Sequence, residues 1–216
     1  GFDDLVIGGL GAEQSSVVFG SSTWSDASLD LTALDGTNGF HIYSKNKGDE
    51  VGRSVSSAGD VNNDGFDDII VGAMGADPNG KDNAGESYVI FGSETWSTKS
   101  LDLSALNGIN GFQINGIDSF DYSGRSVASA GDVNNDGFDD IIIGSSQTYH
   151  YSPDATGESY VIFGASNWSD TPFELSSLNG TNGFQINGVD QSDLDGRSVS
   201  SAGDFDNDGL DDILIG

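Results

Sequence analysis

The sequence predicts an all-β chain of repeated β-propeller blades, each a four-stranded antiparallel sheet, with about three units present. Two observations carry this. A nine-residue acidic loop, Asp60 to Asp68, returns at 132–140 and again at 204–212, a step of 72 residues both times. Around each copy, short runs rich in Ile, Val, Phe and Tyr are bounded by Gly, Asn and Asp, and none keeps a helical period. Four such runs in every repeat match the make-up of a propeller blade. A stacked solenoid is the competing repeat architecture, but its repeats are shorter.

Along one unit, Ser54–Ala58 leads into the acidic loop and Asp68–Val71 leaves it. Ser87–Phe91 follows, and Phe112–Asn115 closes the unit. Between the last two, the leucines of Leu101–Leu106 fit one helical turn or a meander, and an irregular segment pinned by Trp96 is expected. The landmarks Phe19, Phe91 and Phe163, Trp24, Trp96 and Trp168, Phe40, Phe112 and Phe184 all keep the 72-residue step. Gly1–Asp4 aligns with Gly65–Asp68 at a step of 64, which places a deletion between Gly8 and Phe19, in a loop, where residues are lost most cheaply. The units therefore read as a partial blade over 1–44 (strands two to four), full blades over 45–116 and 117–188, and the first half of another over 189–216. Propellers close with about four to eight blades. The chain is expected to be a fragment of a longer array, or to be completed by further copies in a ring or a head-to-tail filament; the first is preferred.

Composition narrows the partners. The chain carries 35 acidic and 7 basic residues, a net charge of −28. Nucleic acid and anionic membrane surfaces both need a positive footprint that this chain lacks. Self-repulsion on that scale also calls for neutralising cations. Disorder is excluded by 12 Phe, 6 Tyr and 3 Trp at recurring positions, since disordered chains of high charge lack aromatics. There is no cysteine for disulfides or thiolate metal sites. No apolar stretch approaches the ~20 residues of a membrane span. No signal peptide is visible, and the opening in mid-motif suggests a longer protein.

Each acidic loop reads D-x-[ND]-x-D-G-x-x-D, with oxygen-bearing side chains at positions 1, 3, 5 and 9 and glycine at position 6, where a tight turn needs no Cβ. Calcium is a hard cation taking 6–8 oxygens. The first site is assigned to Asp60, Asn62, Asp64 and Asp68 with the Phe66 carbonyl. The second takes Asp132, Asn134, Asp136 and Asp140 with the Phe138 carbonyl. The third takes Asp204, Asp206, Asp208 and Asp212 with the Leu210 carbonyl. It has one more carboxylate than the others and is expected to bind more tightly. Position 12 is Val71 rather than Glu and no helices flank the loop, so this is not an EF-hand. Magnesium would keep its waters in preference to so many protein oxygens. Asn-Asp-Gly is also good turn chemistry, but three copies in register favour calcium, in a structural role.

The stretch Gly52-Arg-Ser-Val-Ser-Ser-Ala-Gly-Asp-Val-Asn-Asn-Asp-Gly-Phe-Asp-Asp-Ile-Ile-Val-Gly-Ala73, repeated at Gly124–Ser145 and Gly196–Gly216, together with Gly85–Gly92, resembles the FG-GAP repeat. That repeat is the blade of integrin α propellers and of many bacterial secreted proteins. The resemblance implies a propeller with calcium on loops at one face, and settings of adhesion, surface display or secretion. Val51-Gly52, Ser123-Gly124 and Asp195-Gly196 stand where the family has an aromatic-glycine pair.

Other residues read more plainly. Asp3, Asp67, Asp139 and Asp211 hold position 8 of the loop. Arg53, Arg125 and Arg197 recur once per unit and suggest an ion pair or carbonyl clamp between blades. The tryptophans read as hydrophobic pins, ahead of a carbohydrate-stacking row. Asp190, Asp193 and Asp195, with counterparts Asp118 and Asp121, form a second acidic cluster, read as solvated loops ahead of an extra cation. His41 takes the place of Gln113 and Gln185, and His150 lies in a loop-like insertion; neither shows a triad spacing. Asn167-Trp-Ser169 and Asn179-Gly-Thr181 match a glycosylation pattern too short to carry weight. The chain thus reads as a non-enzymatic, calcium-binding extracellular module for adhesion or assembly, with a protein or carbohydrate ligand and further copies of the repeat in cis or in trans. A filament or surface-layer subunit, and an accessory propeller of a secreted hydrolase, are the alternatives.

Overall fold

The computed structural model describes residues 2–9, 14–23, 27–146, 156–190 and 194–216. Gly1, Trp24, His150 and Asp193, singled out in the sequence, lie outside the described residues. The strands run in chain order as β1 (Leu5–Ile7), β2 (Gln14–Val18), β3 (Gly39–Tyr43), β4 (Val51–Gly59) and β5 (Asp68–Ala73). Next come β6 (Glu86–Ile90), β7 (Ser100–Asp102), β8 (Gly111–Asn115), β9 (Ser126–Gly131) and β10 (Asp140–Ser145). The last are β11 (Glu158–Ile162), β12 (Phe173–Glu174), β13 (Gly183–Asn187), β14 (Val199–Gly203) and β15 (Asp212–Ile215). Helical structure among the described residues is confined to single 3-10 turns.

Four sheets form from consecutive stretches of chain. Strands β4-β5-β6-β8 and β9-β10-β11-β13 are antiparallel meanders of four, β1-β2-β3 is a meander of three, and β14-β15 is a pair. These are propeller blades, and no strand joins the last sheet back to the first among the described residues. Alternation of strand direction puts the acidic loops, which link the first two strands of a blade, at one end of every sheet. The connections between second and third strands lie at the other end.

The segments after Trp96 and Trp168 depart from the irregular course expected of them. β7 pairs in parallel with β3, and β12 with β8, so in these two units this part adds an outer strand to the preceding sheet before a 3-10 turn. Asp102 accepts from the Ser104 amide at 2.9 Å to start one such turn. The reason is an edge to be paired: β3 and β8 would otherwise present free amides and carbonyls. Trp96 stacks on Phe40 and Trp168 on Phe112, with centroids 4.4 and 3.7 Å apart, so each pin fastens its unit to the blade before it.

The core is layered between sheets. One apolar cluster joins Val17, Phe40 and Ile42 to Val71, Tyr88 and Ile90; a second joins Ile70, Val89 and Phe112 to Ile141, Tyr160 and Ile162. A third joins Ala130, Ile142 and Val161 to Val199 and Ile213. Burial on both faces explains why the second strand of each full blade is a continuous apolar run instead of an alternating one. Between blades the backbones nearly touch: a Cβ on Gly72 would lie 2.0 Å from the Gly124 carbonyl oxygen, and one on Gly144 2.0 Å from that of Gly196.

Among the described residues no arginine forms an ion pair between neighbouring blades. Arg53 pairs with Glu50 of its own unit at 3.0 Å. Backbone approach and serine bonds do the joining instead, as in Val127 N–H to Ser54 Oγ at 3.0 Å and Ser126 Oγ to the Gly196 carbonyl at 2.8 Å. Burial first, then repulsion from Arg53 and Arg197, holds the Arg125 guanidinium below its ordinary pKa.

Candidate metal centre

The acidic loops are shaped by their own carboxylates. In the first, Asp60 accepts from the amides of Asp64 at 3.0 Å and Gly65 at 2.9 Å; Asn62 Oδ1 accepts from the Asp64 amide at 2.9 Å. Asp64 Oδ1 then accepts from the Phe66 amide at 3.0 Å. The second loop repeats all four bonds through Asp132, Asn134 and Asp136, and the third through Asp204, Asp206 and Asp208. Position 6 has φ of 92°, 89° and 92° at Gly65, Gly137 and Gly209, the left-handed region that glycine enters without strain. The Asn at position 4 is left-handed as well, with φ of 56°, 56° and 62° at Asn63, Asn135 and Asn207.

Position 9 sits deeper. Asp68 is 1% exposed and Asp140 0%. Asp68 accepts from Val61 at 3.0 Å and from Gly92 at 2.8 Å, one amide on each oxygen. Asp140 does the same with Val133 at 3.0 Å and Gly164 at 2.9 Å. These bonds tie the loop to the exit of the third strand. Asp4 makes the equivalent bond to Gly20 at 2.8 Å, so the opening half-motif folds as its counterparts do. Burial pushes the carboxyls of Asp68 and Asp140 up to about 7 despite the amide bonds, and repulsion from positions 5 and 1 adds to the rise. A carboxylate oxygen that accepts one amide keeps a lone pair for another partner.

In the third loop the donors at positions 1, 3 and 5 are all carboxylates. Ligand oxygens of Asp204, Asp206 and Asp208 all lie within 4.8 Å of one another, on exposed side chains. Asp212 is outside that group and accepts from the Phe205 amide at 2.7 Å. In the first two loops an Asn amide replaces the middle carboxylate, and Asn62 Nδ2 donates to Asp64 Oδ2 at 3.0 Å. The two ion pairs among the described residues, Arg53–Glu50 and Lys81–Asp118, both lie away from these loops. Among the described residues no lysine or arginine forms an ion pair with the loops, and three clustered hard oxygens suit a divalent ion of calcium type.

The FG-GAP repeat pattern matches residues 51–90 and 123–162, each a blade's first three strands with the acidic loop inside. The chain carries FG-GAP repeats. Integrin alpha-5 of Xenopus laevis is 30% identical over 169 residues, which cover 76% of this chain and 13% of that protein. The phosphatidylinositol-glycan-specific phospholipase D of Bos taurus is 33% identical over 118 residues, 53% of this chain and 13% of that one. Integrin alpha-4 of Xenopus laevis is 29% identical over 179 residues, 82% and 15% respectively. The matches thus span less than a sixth of these relatives. No helix of the described residues is long and apolar enough to cross a membrane.

Outside the FG-GAP loops, the second acidic cluster braces loops. Asp121, 2% exposed, accepts from the Asp118 amide at 2.9 Å, Asp49 from that of Asn46 at 3.1 Å, and Asp195 from that of Val189 at 3.3 Å. Asp49 is therefore equivalent to Asp121, which the divergent sequence around it conceals. His41 meets Ser16 Oγ through Nδ1 at 2.9 Å, a contact the sequence reading missed. It is a cross-strand pair, Ser16 opposite His41, standing where Tyr88 faces Gln113 in the next blade. With Ser16 at 3% exposure, this pair lacks the accessible nucleophile of a triad.

Proposed function

We propose that this chain is a calcium-binding, non-catalytic interaction module of an extracellular or cell-surface protein, in which calcium rigidifies propeller blades that present loops to a partner. The observation that carries the metal reading is the convergence of Asp204, Asp206 and Asp208 within 4.8 Å, with no ion pair to a lysine or arginine among the described residues. By the shared loop geometry, the three sites use Asp60, Asn62, Asp64, Asp68 and the Phe66 carbonyl; Asp132, Asn134, Asp136, Asp140 and the Phe138 carbonyl; and Asp204, Asp206, Asp208, Asp212 and the Leu210 carbonyl. Residues 45–116 and 117–188 serve as the full blades. The similarity to integrin α chains supports adhesion as the setting and a protein partner as the ligand. The similarity to a phospholipase D supports a second reading, an accessory propeller beside a catalytic domain.

Calcium would contribute as any ligand of the native state does. At free calcium about tenfold above the dissociation constant, each site adds roughly 1.4 kcal/mol, a sizeable share of the margin of a small fold. Chelation should therefore lower the melting temperature by several degrees, and calcium, more than magnesium, should restore it. Native mass spectrometry should count three ions. An unchanged melt in EDTA with no metal in the mass spectrum would refute the reading.

A further inference from the structure

The acidic loops of neighbouring blades are joined through the residue just before the last ligand. Asp139, eighth in the second loop, accepts from the amide of Asp60, first in the first loop, at 2.7 Å. Its own amide donates back to the Asp60 carbonyl at 3.3 Å. Asp211 treats Asp132 the same way, at 2.9 and 3.4 Å. Asn63 Nδ2 adds a bond to the Gly137 carbonyl at 3.1 Å, linking the first loop to the second again.

The junction is built into the sheets. A Cβ on Gly59 would lie 2.2 Å from Asp139 Oδ2, and one on Gly131 2.1 Å from Asp211 Oδ2. Both glycines have φ of 73° and sit where the strand pairing slips by a residue before the loop. The bulge and the missing side chain together let the next blade's carboxylate reach the loop's first amide. At Gly203 the same space is open, with nothing within 4 Å. Asp67, eighth in the first loop, is exposed and joins no other acidic loop among the described residues.

We infer that Asp139 and Asp211 couple the three loops, so that calcium bound in one raises the affinity of the next; this rests on the calcium reading above. An ion that fixes Asp60 also fixes the amide and carbonyl gripping Asp139. Asp139 lies in the chain between Phe138 and Asp140, both ligands of the second site. Part of the ordering of the second loop is then complete before its own ion arrives, which is positive cooperativity without any large movement. Repulsion between bound ions opposes the effect, and salt at about 0.1 M screens it beyond about 10 Å. Asp139 and Asp211 are positioning residues here, not ligands.

The test is a calorimetric calcium titration of the intact protein in about 0.1 M salt. Wild type is compared with Asp139→Ala/Asp211→Ala and with Asp67→Ala. All three should bind the same number of ions. Wild type and Asp67→Ala should give steep isotherms, with successive affinities rising about fivefold or more. The double alanine variant should bind each ion independently. Asp139→Asn/Asp211→Asn, which keeps an acceptor oxygen, should regain part of the steepness even if the alanine variant proves too unstable to titrate. Independent binding in wild type, or unchanged steepness in the alanine variant, overturns the coupling and leaves the calcium sites standing. Absence of any bound ion overturns both.

Discussion

Glu86 shows how one repeated residue can work against the fold while serving its geometry. It is 5% exposed, accepts the hydroxyl of Tyr88, and faces Lys45, Asp49 and Asp77. Burial raises its pKa; the Tyr88 bond and Lys45 pull it down, and the two aspartates push it further up. Because the folded value exceeds the unfolded one, the native state holds the proton more strongly. The associated stability is full below the unfolded value of about 4.3 and is lost as pH rises through the folded value. Glu86→Gln keeps an acceptor for Tyr88 and removes that loss. The variant should melt higher than wild type at neutral pH, with the gap closing toward pH 4. A gap constant across that range would contradict the assignment. Positions 1, 3, 5 and 9 of the loops stand out in the sequence as candidate ligands because the oxygen spacing carries its own chemistry. The sequence did not reveal what position 8 does, since Asp139 acts on a residue 79 positions away and only the stacking of blades brings them together.

At the scale of elements, the strands and acidic loops were legible from short apolar runs and the fixed repeat. The parallel strands β7 and β12 were not. Their runs are two or three residues long, and their partners belong to the preceding unit, so no local pattern marks them. The glycines between blades were equally silent, because a close backbone approach leaves no trace beyond the glycine itself. Gly72 makes a sharp test, since the nearest obstacle to a Cβ is the Gly124 carbonyl carbon and oxygen, which are backbone and cannot rotate away. Gly72→Ala must push two sheets apart and should cost about 3 kcal/mol, as overpacking of a close interior does. Gly180 has φ of 86° and nothing within 4 Å of its would-be Cβ, so Gly180→Ala meets only backbone strain of about 1–2 kcal/mol. Denaturant unfolding would rank the two. A milder effect at Gly72 than at Gly180 would show that the blades are not held at backbone contact.

For the whole molecule the governing quantity is charge. With 35 acidic and 7 basic residues, and the three acidic loops gathered at one end of the sheets, the native state concentrates repulsion that the extended chain disperses. Position 9 of the first two loops feels this directly, as carboxyls buried beside other carboxylates. Three divalent ions would offset only six of the 28 excess negative charges, but they would do so where the carboxylates are closest. Monovalent salt acts everywhere and less specifically, with a screening length falling from about 10 Å at 0.1 M to about 3 Å at 1 M. The two should therefore substitute for each other in part. In chelator, the melting temperature should climb as sodium chloride rises, because screening relieves the folded state more than the unfolded one. In saturating calcium the same titration should give a visibly shallower climb, since the steepest local repulsion is already neutralised. Parallel salt dependences with and without calcium would mean that the loops contribute no more to self-repulsion than the rest of the surface, and that their carboxylates are spaced by hydrogen bonding alone.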